Sequence, residues 1–70
     1  MMPLSFANVG DELIVKKVGG LPEVKKHLEN LGFVAGSRVT VVNKLGGNLI
    51  LQVMEARVAV SREMAQRILV

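Results

Sequence analysis

The chain has 70 residues and is half apolar, but Phe6 and Phe33 are its only aromatic side chains, so one small domain over residues 1–70 with a thin aliphatic core is expected. Such a chain has little volume to enclose a deep pocket, and an enzyme is not expected. Nine Lys or Arg against six Asp or Glu give a net charge of +3 spread over pairs and single residues, and the lack of cysteine excludes disulfides, thiolate metal sites and thiol nucleophiles.

The opening MMPLSFANVG has neither the positive start nor the apolar stretch of a signal peptide, and no apolar run approaches the roughly 20 residues of a membrane helix. A cytoplasmic, unexported protein is therefore expected. Residues 12–18 (ELIVKKV), rich in β-branched side chains and bounded by Gly10-Asp11 and Gly19-Gly20, predict a strand with Leu13 and Val15 on one face. Leu21, Val24, Leu28 and Leu31 then recur at spacings of three and four, the apolar stripe of a short helix. Pro22 suits its first position and Gly32 its left-handed stop. Residues 37–44 alternate, with Val39 and Val41 opposite Arg38, Thr40 and Val42, and residues 48–54 follow across Gly46-Gly47 as the second arm of a hairpin. Arg57 to Val60 is a further strand, reached through a Glu55-Ala56 turn. Ser61 to Arg67 predicts a short helix capped by Ser61, with Met64, Ala65 and Ile68 on one face, and Ile68 to Val70 close the chain as a last strand.

Strands this short, joined by tight turns, build no large layered sheet, but they can coil into a small barrel that removes most of its own edges. The expected fold is mainly β: a small barrel with one short α-helix after the first strand and a short helical turn near the C-terminus. Its core is expected to hold Leu13, Val15, Val39, Val41, Leu49, Leu51, Val58 and Val60, with Leu28 and Leu31 pinning the helix.

Leu4 with Val9-Gly10, Gly19-Gly20, the run Leu28-x-x-Leu31-Gly32-x-x-x-Gly36-x-x-Val39-x-Val41, and Val58-Ala59-Val60-Ser61-Arg62 followed by Ala65 and Ile68-Leu69-Val70 together resemble the FeoA family of bacterial ferrous iron uptake. The resemblance covers nearly the whole chain. It implies an SH3-like β-barrel, an accessory role beside the FeoB-type membrane permease with its GTPase domain, and a general capacity for transition metal ions. Two positions depart from the common pattern: Glu55-Ala56 stands where a glycine is frequent, and Val60 where leucine is more usual. Without glycine, a two-residue turn with positive φ is strained.

Residues that could carry function are few. Lys16-Lys17-Val18-Gly19-Gly20 lacks the GxxxxGK[ST] spacing that converges amides, an ammonium and a hydroxyl on phosphate, so it reads as a strand end and turn. His27 is the only imidazole, and Glu23 stands one helical turn before it. The pair could hold ferrous or zinc ion weakly, but a specific site needs a third ligand from Asp11, Glu12, Glu55, Glu63 or another chain. The scattered basic residues raise a nucleic-acid-binding barrel as the alternative function, which the absence of Trp and Tyr disfavours. The same absence argues against recognition of proline-rich peptides. Lys25, Lys26 and Glu29 flank Phe33 and Val34 as a charged rim around a small apolar centre, the arrangement expected of a partner-binding face. The burial of Phe33 in the core is the competing expectation. The chain is expected to be a monomer or a weak homo-oligomer.

Overall fold

The glycine-bounded segments become nine short elements in a computed structural model that describes residues 1–70. A 3-10 turn (Leu4–Phe6) precedes β1 (Glu12–Ile14), β2 (Lys17–Val18), α1 (Pro22–Asn30), β3 (Arg38–Leu45), β4 (Asn48–Val53), β5 (Ala56–Ser61), α2 (Arg62–Ala65) and β6 (Ile68–Leu69). A four-stranded antiparallel sheet runs in the order β1-β3-β4-β5, and β2 pairs with β6 in a separate two-stranded ribbon. The fold is SH3-like, but its two sheets do not join into one closed ladder. No helix is long and apolar enough to cross a membrane.

The expected strand over residues 12–18 is divided between the two sheets. Leu13 pairs with Val39 in one and Lys17 with Leu69 in the other. Between them the Val15 N–H donates to the Ser37 carbonyl at 2.8 Å, the Val15 carbonyl accepts from the Gly36 N–H at 2.8 Å, and the Lys16 N–H donates to the Leu69 carbonyl at 2.7 Å. Val15 is buried at this bend. A straight strand could serve only one sheet, so the division lets one segment cover two sides of the core.

Fourteen apolar side chains form a single buried cluster. Val15, Val39, Val41, Leu49, Leu51 and Val60 are in it as expected, whereas Leu13 and Val58 are half-buried against its margin. Cross-strand partners Leu49 and Val60, and Leu51 with Val41, lie on the same face, as antiparallel pairing requires. The register slips by one residue between Val41 and Asn43, a β-bulge at Val42, and beyond it Asn43, Lys44 and Leu45 are all exposed. The opening segment, for which the sequence predicts no element, supplies fully buried Leu4 and Ala7. It is tied to the C-terminus by reciprocal Met2–Val70 backbone hydrogen bonds of 3.0 and 2.8 Å.

The helix α1 starts with Pro22 in its first turn and ends at Gly32, whose φ is +106°. There the Phe33 N–H donates to the Leu28 carbonyl at 3.0 Å and the Gly32 N–H to the Glu29 carbonyl at 2.9 Å. This pair of bonds is a Schellman stop, and its usual apolar contact is supplied by Leu28 and Phe33, both fully buried. The stripe is narrower than expected: Leu21 precedes the first turn and is 66% exposed, while Val24 and Leu31 are half-buried. Leu28 is thus the principal anchor. The cap of α2 is as predicted, with the Met64 N–H donating to Ser61 Oγ at 3.2 Å, although the helix itself ends at Ala65.

The turn between β4 and β5 is Met54-Glu55 rather than Glu55-Ala56, because Val53 pairs with Ala56. Both turn residues are left-handed, at φ +49° and +66°, as a tight two-residue hairpin demands. Neither is glycine, so the strain expected of this turn is present, one residue earlier.

Replacing Leu28 with Ala should destabilise the fold by about 2–5 kcal/mol, and Leu31→Ala by less, measured by urea unfolding. Equal costs would show that Leu31 shares the anchoring. Glu55→Gly should raise stability by about 0.5–1 kcal/mol, since relief of the left-handed strain exceeds the added freedom of the unfolded chain; a loss of stability would mean the turn is not strained.

Candidate functional site

The helix and the strand before it share the lining of a hollow in the surface. Lys16, Lys17 and Val18 come from β2 and its approach, Lys25 and Glu29 from α1, and Phe33, Val34 and Ala35 from the loop after it; together they line a depression of about 250 Å³. The loop is held between Gly32 and Gly36, both at positive φ, and closed by the Ser37 N–H donating to the Val34 carbonyl at 2.9 Å. Its other anchor is the Gly36–Val15 bond, so the floor is attached directly to the bend.

The floor is apolar and the rim is charged. Phe33 is 0% exposed and lies beneath the hollow, while Val34 is partly open to solvent at 41%. Lys16, Lys17, Lys25 and Glu29 are exposed, and none of their side chains takes part in a hydrogen bond within the chain. Three ammonium groups against one carboxylate leave two net positive charges around an aliphatic patch. Such a rim attracts an anionic group, and the Val34–Ala35 floor accepts a small aliphatic one.

Of the residues expected to form a partner-binding face, Lys25, Glu29, Phe33 and Val34 are brought together here, and Lys26 lies outside the lining. Phe33 serves the core instead of offering surface, because its side chain follows the helix stop inward onto Leu28. Met54 is 70% exposed but packs over Gly32 rather than in the hollow; a Cβ at Gly32 would stand 3.0 Å from its Sδ. Sequence reasoning missed Lys16, Lys17, Val18 and Ala35. The signal available for the first three was the short link, residues 19–21, that keeps the Lys-Lys pair near the start of the expected helix.

Glu23 and His27 stand one turn apart on the exposed side of α1. The fold does not bring Asp11, Glu12, Glu55 or Glu63 to them, and no group of three or more His, Asp or Glu side chains is gathered anywhere in the chain. The residues present therefore do not form a site with three or more protein ligands.

Residues 2–70 match the FeoA domain family. The Methanocaldococcus jannaschii protein named for Fe(2+) transport protein A is 33% identical over all of this chain and 85% of its own length. Among solved structures, the zinc-complexed FeoA of Stenotrophomonas maltophilia, described as a prokaryotic SH3 domain protein, superposes with a TM-score of 0.89 at 31% identity over 99% of this chain and 88% of its own. An FeoA described as an iron uptake regulatory protein superposes at 0.88 with 28% identity, over 96% of this chain and 89% of its own. With the family match running from Met2 to Val70 and a relative 33% identical over the whole chain, this chain belongs to the FeoA family of ferrous iron transport proteins.

Proposed function

We propose that this chain, acting as one domain over residues 1–70, is a cytoplasmic accessory module that docks on the cytosolic part of an FeoB-type GTPase permease and catalyses no reaction itself. The observation that carries the reading is the hollow: Lys16, Lys17 and Lys25, free of internal partners, surround the apolar Val34–Ala35 floor. A surface of this kind suits an acidic segment carrying a small aliphatic side chain, whose carboxylates meet the rim while the side chain seats below. Family membership supports the connection to ferrous iron transport. Ferrous ion, in this reading, is the cargo of the permease, and contact between proteins is the contribution of this chain.

The test is titration of the permease's cytosolic domain at low and high salt, with folding checked by circular dichroism. The double variant Lys16→Glu and Lys25→Glu should fold normally, because exposed charges contribute little to stability, and should associate about tenfold more slowly or worse. Lys26→Glu, outside the lining, should have a smaller effect. Undiminished binding by the double variant rejects the hollow as the docking site.

Zinc is bound by the Stenotrophomonas relative, and for this chain Glu23 and His27 are the available pair. Zinc or ferrous titration should give weak binding that His27→Ala abolishes. Tight stoichiometric binding by the monomer would overturn the two-ligand reading.

A further inference from the structure

The strand β5 is the long open edge of the molecule. It pairs with β4 on one side through six consecutive residues without a register shift, and no strand lies on its other side. The opposite edge, β1, is only three residues long, and the strands of the ribbon have two each.

Ladder parity decides which backbone groups are unused. The Arg62 N–H donates to the Gly47 carbonyl at 2.7 Å, so Gly47 and Arg62 form a hydrogen-bonded pair, and in an antiparallel ladder such pairs alternate. Leu49 with Val60, Leu51 with Val58 and Val53 with Ala56 are therefore bonded pairs as well. The N–H and C=O groups of Arg57 and Ala59, together with the Ser61 N–H, are directed away from β4.

Native edges are normally blunted by proline, by bulges or by charged side chains at the rim. This one has no proline and no bulge. Its single charged side chain inside the run, Arg57, reaches back over β4, where its Nε donates to Gln52 Oε1 at 3.4 Å. The Ser61 hydroxyl is engaged in capping α2, and Ala59 has only a methyl group. All three outward-facing positions are thus small or turned away from the edge.

The strand is also complementary to itself. An antiparallel pairing centred on Ala59 sets Ala59 opposite Ala59 of a second copy, Arg57 opposite Ser61 and Val58 opposite Val60, so no like charges stand directly opposed. The Ala59 N–H and C=O would then exchange hydrogen bonds with the same groups of the second copy, and each Ser61 N–H would donate to the Arg57 carbonyl opposite, in a symmetric ladder. We infer that β5 is a homodimerisation edge, where two copies of this chain join their four-stranded sheets into one eight-stranded sheet across a two-fold axis at Ala59. The occupant is a second copy, chosen by this register and by the clear edge. Each copy carries +3, so added salt strengthens this association by screening the repulsion, opposite to its effect on docking at the basic hollow.

The experiment is sedimentation of the full chain over a concentration series, with amide hydrogen exchange read residue by residue. Expected are a monomer–dimer equilibrium and protection of the Ala59 and Ser61 amides that rises with concentration. Ala59→Lys alone and Ala59→Glu alone place like charges on the axis and should both be monomeric. An equimolar mixture of the two should associate again, which also shows that each variant is folded. Overturning results are exchange at those two amides that is independent of concentration, dimerisation retained in Ala59→Lys, a mixture that stays monomeric, or protection of the edge only when the permease domain is added.

Discussion

The structure depends on a single stretch of backbone, residues 12–18, which hydrogen-bonds to β3 at one end and to β6 at the other. At Val15 the chain leaves the first sheet while bonded to Gly36 and Ser37, and at Lys16 it enters the second through Leu69. Every backbone polar group taken out of water needs a partner, and this bend supplies them at the point where the chain changes sheets. The consequence for the surface is direct. Lys16 and Lys17 are fixed beside the helix that follows, and the same Val15–Gly36 bond holds the loop that floors the hollow.

At two glycines an added Cβ would crowd a neighbouring side chain. A Cβ on Gly20 would stand 2.9 Å from Arg67 Cδ, and one on Gly32 would meet Met54 and Val53 at 3.0 to 3.4 Å. Both also have positive φ. The contact at Gly32 joins the end of α1 to the strained hairpin between β4 and β5, so that the exposed Met54 covers the helix stop. A left-handed methionine costs backbone energy, and its packing over Gly32 is a compensation that exists only in the folded chain.

Charge has little part in holding the molecule together. The side-chain hydrogen bonds number five and none joins an ammonium or guanidinium to a carboxylate. No ionisable side chain is buried. Stability comes from the aliphatic cluster and the backbone ladders, which leaves the surface charges available for association without cost to the fold. That separation is what allows a small domain to carry a basic hollow and an open strand edge at the same time.

Local chemistry was legible in the sequence. The span of α1 followed from a stripe with period 3.6 between Pro22 and Gly32, the first hairpin from alternation across Gly46-Gly47, and the α2 cap from Ser61, since each depends on residues within one or two turns of one another. The grouping of Lys25, Glu29 and Val34 was legible for the same reason, as they lie on one helix and its adjoining loop. What only the tertiary structure decided involves residues far apart in the chain. The division of residues 12–18 between two sheets, the burial of Leu4 and Ala7, the addition of Lys16 and Lys17 to the hollow and the left-handed Met54-Glu55 turn all depend on which segments meet. Hydrophobic period specifies which side of a segment turns inward but not which other segment it will face, because burial is non-directional while hydrogen-bond register is set by the partner.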